Sequence, residues 1–299
     1  MITTQSLIEA LRAYAPLAAT GESHLHAAIT QATGQPGKLV RAQLVADAAV
    51  HHGLTESQAL QLACAIEYYH TASLLLDDLP CMDDAALRRG LPCVHRTHGD
   101  ATTILASLAL INRAYTLIGL ALVEQPPEVR LQTQFCLDAA LGSHGLVGGQ
   151  AADLRFAESS RHPRHIGRIA LGKTGALFSL AVQLPALCAQ PDATERHALH
   201  ALRVYWGLAF QIADDLHDVL ANPMQAGTTT GRDRALARPN LALALGVPAT
   251  RRRLEKLVRL AALTTARLVS RNAERWGYLQ RFHADQFAAP LERAQQSVA

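Results

Sequence analysis

Aromatic residues are scarce in this chain, at 5% of 299 positions. Runs that alternate polar and apolar residues between turn dipeptides are missing as well. Both absences weigh against a sheet, and the abundant Ala and Leu favour helix. The five cysteines, Cys64, Cys81, Cys93, Cys136 and Cys188, show no close metal-ligand spacing. An odd number is also a poor disulfide framework, so reduced thiols in a cytoplasm are expected. Net charge is only +3, with no arginine-rich stripe interleaved with aromatics, so no nucleic-acid partner is expected. Arg251-Arg252-Arg253 reads as a solvated helix face. The N-terminus lacks a signal-peptide profile. No Pro/Gly/Ser-rich linker divides the sequence. Residues 1–299 are therefore expected to form a single all-α domain, apolar enough for a sizeable core.

One stretch, residues 101–123, is long enough to span a bilayer. Asn112-Arg113 sits at its middle, where charge is costly in lipid. A helix buried in the centre of a large helical domain explains the run better, and no membrane span is expected. Helical periodicity recurs at roughly 3–17, 38–51, 56–79, 101–123, 127–152, 163–187, 193–221, 250–275 and 278–287. Loops are marked at Gly34 to Gly37, Gly90 to Gly99, Gln125-Pro126-Pro127 and 222–233.

Two acidic clusters stand out. Asp77-Asp78-Leu79-Pro80-Cys81-Met82-Asp83-Asp84 directly follows the apolar Ala72-Ser73-Leu74-Leu75-Leu76. Pro80 pushes Leu79 away from helical geometry, so the helix ends or kinks there and Asp83 can fold back towards Asp77. The second cluster is Asp214-Asp215-Leu216-His217-Asp218, in which Asp214 and Asp218 share a helix face. Carboxylates crowded at the end of an apolar helix repel one another, and burying them unpaired costs several kcal/mol. Divalent cations remove both problems. Hard oxygen ligands with no histidine or cysteine set among them suit magnesium, which takes further ligands from water and substrate phosphates.

Basic groups accompany the acids. Arg88 and Arg89 follow the first cluster. Lys173 opens Lys173-Thr174-Gly175. Lys38 and Arg41 are three apart after Gly37, on one face near a helix start, and His70 lies two turns before Asp77. Each alone is an ordinary surface charge or core histidine. Together they supply what two diphosphates require, one bridged to carboxylates by metal and the other held by cations.

These residues, from about 37 to 246, resemble the trans-polyprenyl diphosphate synthase family. Glu67 through His70, the first cluster and Leu87-Arg88-Arg89-Gly90-Leu91-Pro92 look like its first aspartate-rich motif. Gly148-Gly149-Gln150 with Asp153, and Lys173-Thr174-Gly175, are similar to later signatures, and Gly207 to Asp218 to the second aspartate-rich motif. HTASLLLDDLPCMDDAALRRG resembles the bacterial carotenoid-type geranylgeranyl diphosphate synthases. Farnesyl-forming relatives tend to carry aspartates where Ala85 and Ala86 stand and an aromatic residue at Ala72. Leu39, Ala42 and Thr228 depart from the family, Thr228 replacing a lysine that helps hold the allylic diphosphate. Arg232, Arg234 and Arg238 are candidates to compensate.

The resemblance implies an isoprenoid synthase bundle around a central cavity, a homodimer, and three Mg2+ ions. It implies metal contacts, direct or through water, at Asp77, Asp78, Asp83, Asp214, Asp215 and Asp218. Arg88, Lys173 and Gln211 would meet the allylic diphosphate, and Lys38, Arg41, His70 and Arg89 the isopentenyl diphosphate. Asp77, Asp78, Asp83, Lys173 and Asp214 would carry catalysis. The growing tail would run down the helix before Asp77. Ser73 lies ~6 Å and Tyr69 ~12 Å below that residue at 1.5 Å per residue. Small Ala72 and Ser73 leave room beyond fifteen carbons, and Tyr68, Tyr69 or a neighbouring helix is a candidate floor. The expected reaction is condensation of isopentenyl diphosphate with allylic diphosphates to geranylgeranyl diphosphate. The alternatives are a farnesyl diphosphate synthase, a class I terpene cyclase and a non-catalytic partner subunit.

Overall fold

The computed structural model describes residues 2–17, 22–34, 36–220 and 232–288. The described chain is almost entirely helical and falls into two compact units. Among the described residues, the first comprises those within 1–50 and 54–126, and the second comprises His51–Gly53, Pro127–Leu220 and those within 232–288.

In the first unit, α1 (Thr4–Ala13), α2 (Ser23–Gly34), α3 (Val40–His51) and α4 (Glu56–Asp77) precede a small hairpin. A capping box between Thr55 and Gln58 starts α4. Strands β1 (Leu87–Arg88) and β2 (Leu91–Pro92) pair antiparallel. Arg89 and Gly90 between them have φ of 55° and 80°. Two consecutive positive φ values give the turn that matches the twist of paired strands. Sequence periodicity had pointed away from any sheet, because pairs this short carry no alternation. After α5 (Val94–His98), α6 (Asp100–Ala121) packs along α4. Leu62, Ile66, Leu110 and Leu117 are fully buried, and the Tyr68 hydroxyl donates to the Leu11 carbonyl at 2.7 Å.

Helix α6 departs from the central position expected of it. One face lies against α4, but Leu105 and Leu108 on the other are 54% and 57% exposed. Length and composition alone qualify α6, and a later helix, Pro163–Cys188, to cross a bilayer. Arg113, however, is tied into the unit by its Nε, which donates to the Tyr14 carbonyl at 2.8 Å.

The second unit holds α7 (Pro127–Leu141), α8 (Leu146–Leu154), α9 (Pro163–Cys188) and α10 (Ala193–Leu220), then short α11 (Arg232–Ala235) and α12 (Leu241–Leu245), then α13 (Val247–Arg271) and α14 (Ala273–His283). The helix expected over 127–152 is two helices, broken between Gly142 and Gly145. A Cβ at Gly145 would lie 2.0 Å from the Ala140 carbonyl oxygen, so the chain turns where only glycine fits. Helix α9 forms the centre, with Phe178, Leu180, Ala181, Val182 and Leu184 fully buried and α7, α8 and α10 packed around it. Glycines set two of these crossings: Gly149 meets Gly172 between α8 and α9, and Gly207 meets Gly175 between α10 and α9.

Candidate active site

The first acidic cluster sits where α4 ends. Asp78 caps the helix, and the Asp83 N–H donates to the Asp77 carbonyl at 3.0 Å. The loop therefore turns back on the helix end, as Pro80 requires. Asp77 and Asp83 are half-buried, whereas Asp78 is 3% exposed. Both Asp78 oxygens accept from Arg88, Nε at 3.2 Å and Nη2 in a second, shorter bond. This bidentate pair neutralises both partners, so Asp78 and Arg88 differ from Asp77 and Asp83 although they share one motif.

Next to the cluster the first unit collects cations around α4. Arg41, Arg89 and Arg88 all act electrostatically on His70, and burial first, then these arginines, hold that imidazole well below its usual range. A Cβ at Gly37 would lie 2.7 Å from Nη2 of Arg89, so the backbone here passes close against the guanidinium and a side chain at this position would displace it. Lys38 and Arg41 do not share a helix face as expected. Leu39 has φ of 52°, which breaks the helix before Val40. Lys38 is left exposed in the preceding loop, while Arg41 is 8% exposed in the first turn.

Sequence reasoning passed over Glu67 as a site residue. It is 3% exposed and lies under the influence of Arg41 and Arg89, one turn before His70. Its signal was the i, i+3 spacing to His70. Burial raises its pKa from 4.5 to about 7, against the opposing pull of the two arginines. A carboxyl with a raised folded pKa stabilises most below its unfolded value, and that stabilisation fades as pH rises through the folded one. Glu67→Gln removes this dependence. Its melting temperature relative to the parent chain is expected to rise from pH 5 to about pH 7 and then level off in paired thermal scans; parallel curves would refute the assignment.

Lower on α4, Ala72 is 1% exposed and Tyr69 2%, its ring edge-on to Tyr115 at 5.4 Å. Ser73 is half-buried, its hydroxyl donating to the His70 carbonyl at 2.8 Å. Of the two small residues expected to leave room for a tail, Ser73 is the one not already enclosed.

The second acidic cluster lies in the last turns of α10. Asp214 is exposed and Asp218 half-buried, but Asp215 is 1% exposed. The two Asp215 oxygens accept from Gln211 Nε2 at 2.8 Å and from the Leu241 N–H at 2.7 Å. Burial above all raises its pKa to about 7. Asp215 is thus committed inward, fastening α10 to α12. Gln211 also accepts from Thr174 Oγ1, so its amide bridges α9 and α10.

Asp153 and Asp233 join this bank. Lys173 Nζ lies 3.3 Å from Asp153 Oδ2, and Arg238 reaches the same carboxylate at 3.7 Å and donates to the Asp153 carbonyl at 3.2 Å. Asn240 Nδ2 donates to Asp233 at 2.8 Å and to the Asp215 carbonyl at 3.2 Å. Burial, followed by nearby Asp218 and Asp153, raises the Asp233 pKa to about 6. Of the candidates to compensate for Thr228, Arg238 is brought beside Lys173's partner. Thr228 itself lies outside the described residues.

The donors at both clusters are carboxylate oxygens, which suits a hard divalent cation. Among the described residues no three acid, imidazole or thiolate groups converge to hold a metal alone. A cation here would complete its shell with water and phosphate oxygens, which magnesium favours.

A polyprenyl synthetase family model matches residues 22–270. A geranylgeranyl diphosphate synthase of Pseudescherichia vulneris is 40% identical over 225 residues, which cover 74% of this chain and 71% of that protein. Among solved structures, an apo FPP/GFPP synthase from Zymomonas mobilis is 32% identical with a TM-score of 0.77, covering 95% of each chain. A geranyltransferase from Helicobacter pylori, complexed with magnesium and isoprenyl diphosphate, has a TM-score of 0.82 over 97% of this chain and 95% of that one. Its 24% identity speaks for a shared fold alone. The match to the family model over most of the sequence, together with this degree of identity to a curated relative, makes the chain a member of the polyprenyl synthetase family.

Proposed function

We propose that the chain condenses isopentenyl diphosphate with dimethylallyl, geranyl and farnesyl diphosphates to form geranylgeranyl diphosphate. The observation that carries this reading is the cradle of the Arg41 and Arg89 guanidinium groups with the neutral His70 imidazole, beside the carboxylates that end α4. An enzyme that only ionises one diphosphate has no use for a second cradle. The 40% identity to a geranylgeranyl diphosphate synthase supports the twenty-carbon product.

In this reading Asp77, Asp83 and Asp214, with Asp218, would hold Mg2+, three ions in all. Bound there, the ions would stabilise charge developing on the leaving group. Lys173, steadied by Asp153, adds positive charge. Asp78, Asp215 and Gln211 act by positioning, through Arg88, Leu241 and Thr174. Lys38, Arg41, His70 and Arg89 seat the isopentenyl diphosphate. The allylic C–O bond breaks, and the double-bond electrons of the second substrate form the new C–C bond. The released diphosphate takes the proton, so no protein base is required. The two units act as one domain, a reading supported by a single family model that spans both. The five cysteines form no disulfide among the described residues, which suits a reducing cytoplasm. The exposed Ile104, Leu105, Leu108 and Tyr115 of α6 form an apolar stripe suited to a homodimer.

Incubating the purified chain with isopentenyl diphosphate, each allylic starter and Mg2+ tests the proposal. Twenty-carbon product that requires both isopentenyl diphosphate and Mg2+ is expected. Turnover of an allylic diphosphate alone would mean a cyclase, and no turnover would mean a partner subunit. In the same assay Ser73→Phe, one turn below Asp77, is expected to shift the main product to fifteen carbons or fewer; unchanged chromatograms would remove Ser73 from the tail path. Ala72→Phe would also overpack an enclosed site, at about 1–3 kcal/mol of stability.

A further inference from the structure

The second unit contains a cavity of about 650 Å3 between α7, α9 and α10. That volume falls within the range of small-molecule sites. None of the residues proposed above to bind metal or substrate lines it. It runs along α9 on the Leu171, Ala176 and Ser179 side, about 16 Å from Arg168 to Ser179 at 1.5 Å per residue. Lys173 projects from a different side of that helix.

The walls divide by chemistry. The floor is apolar and small, with Leu171 and Ala176 from α9 and Ala139 from α7. At the far end stands Arg203, half-buried on α10. Its Nη1 donates to Ser179 Oγ at 3.0 Å, and its Nε and Nη2 lie 3.3 and 2.9 Å from Nδ1 of His200. Burial, then Arg203 and His197, hold His200 below its usual range, which suits an imidazole that accepts. Three of the five guanidinium N–H groups are thereby used and two remain. No carboxylate among the described residues pairs with Arg203; burial disfavours its charge, and the Cys136 thiol in the same wall opposes that in part. A fixed, partly desolvated guanidinium with spare donors at the end of an apolar trough calls for an anion with a tail.

We infer that this cavity binds a soluble amphipathic phosphate, its head on Arg203 and its single apolar tail along the floor between α7 and α9. Charge complementarity selects the head group, and the small residues Ala139 and Ala176 make the space for the tail.

The test is calorimetric titration of the full chain with dodecyl phosphate below its micelle concentration. EDTA is present to withhold divalent ions from the carboxylate clusters. Binding is expected, with inorganic phosphate at least tenfold weaker. Arg203→Met, which removes the charge, and Ala139→Trp, which fills the trough from an exposed α7 position, should each weaken dodecyl phosphate binding at least tenfold. Arg251→Met, an exposed control on α13, should not, and prenyl transfer by Arg203→Met should match the parent. Equal binding by all variants, equal weakening in the control, or inorganic phosphate binding as tightly would overturn the inference. Conversion of a dimer to a monomer by Ala139→Trp would give the trough to a second copy, and capture by phosphatidic acid vesicles instead of the monomeric detergent would give it to a lipid surface; either result would also overturn it.

Discussion

Replacing Asp77 by alanine is expected to lower turnover on the order of 10^3-fold while the helical circular dichroism stays that of the parent chain. Asp77 is the last residue of α4 and is half-buried. Its neighbour Asp78 is occupied by Arg88, so the motif cannot simply pass its duty one position along. Asp215→Ala provides the contrast. Its carboxylate accepts from Gln211 and from the Leu241 N–H, and its removal leaves a buried N–H unsatisfied. Such a loss costs about 1–3 kcal/mol and appears first in thermal stability. Turnover by Asp77→Ala within tenfold of the parent would refute its assignment.

Gly149→Ala is expected to lower the melting temperature by roughly 10 °C and to depress activity with it. An added Cβ would lie 2.3 Å from the Lys173 nitrogen and 2.4 Å from the Gly172 carbonyl carbon. These are backbone atoms, so α8 and α9 must move apart. Overpacking of this kind costs about 3 kcal/mol, and in a chain of this size each kcal/mol moves the midpoint by roughly 2–4 °C. The displacement also strains the Lys173–Asp153 pair, because the two residues project from the two helices that must separate. Gly119→Ala on α6 is the control: nothing lies within 4 Å of its added Cβ, so a neutral or slightly raised midpoint is expected. Scanning calorimetry on both variants decides the matter. Equal midpoints would mean that the crossing relaxes freely.

What the sequence made legible was local and strongly patterned. The all-helical class followed from composition, and the end of α4 from Pro80. The return of Asp83 followed from the same proline and is seen in its bond to the Asp77 carbonyl. What it hid depended on partners far along the chain. Asp214 and Asp215 look alike in sequence, yet Asp215 turns inward because the Leu241 N–H, twenty-six residues on, needs an acceptor. Lys38 and Arg41 have helical spacing, but Leu39 adopts a left-handed backbone that no periodicity reveals. Glu67 reads as one polar residue in an apolar helix until Arg41 and Arg89 are brought beside it. Helix α2 is not among the helices expected from the sequence. Helix α6 is apolar enough to suggest a central place, yet Ile104, Leu105, Leu108, Tyr115 and Leu120 face outward.

The proposed chemistry requires that the carboxylates ending α4 and those on α10 both bind the divalent ions that accompany a prenyl diphosphate. Crystals grown with Mn2+ and an unreactive allylic thiodiphosphate, measured at the manganese edge, test it most directly. The expected map has anomalous peaks about 2 Å from oxygens of Asp77, Asp83 and Asp214, each with diphosphate oxygen in its shell. Metal at only one cluster, or a diphosphate bound away from both, would contradict it.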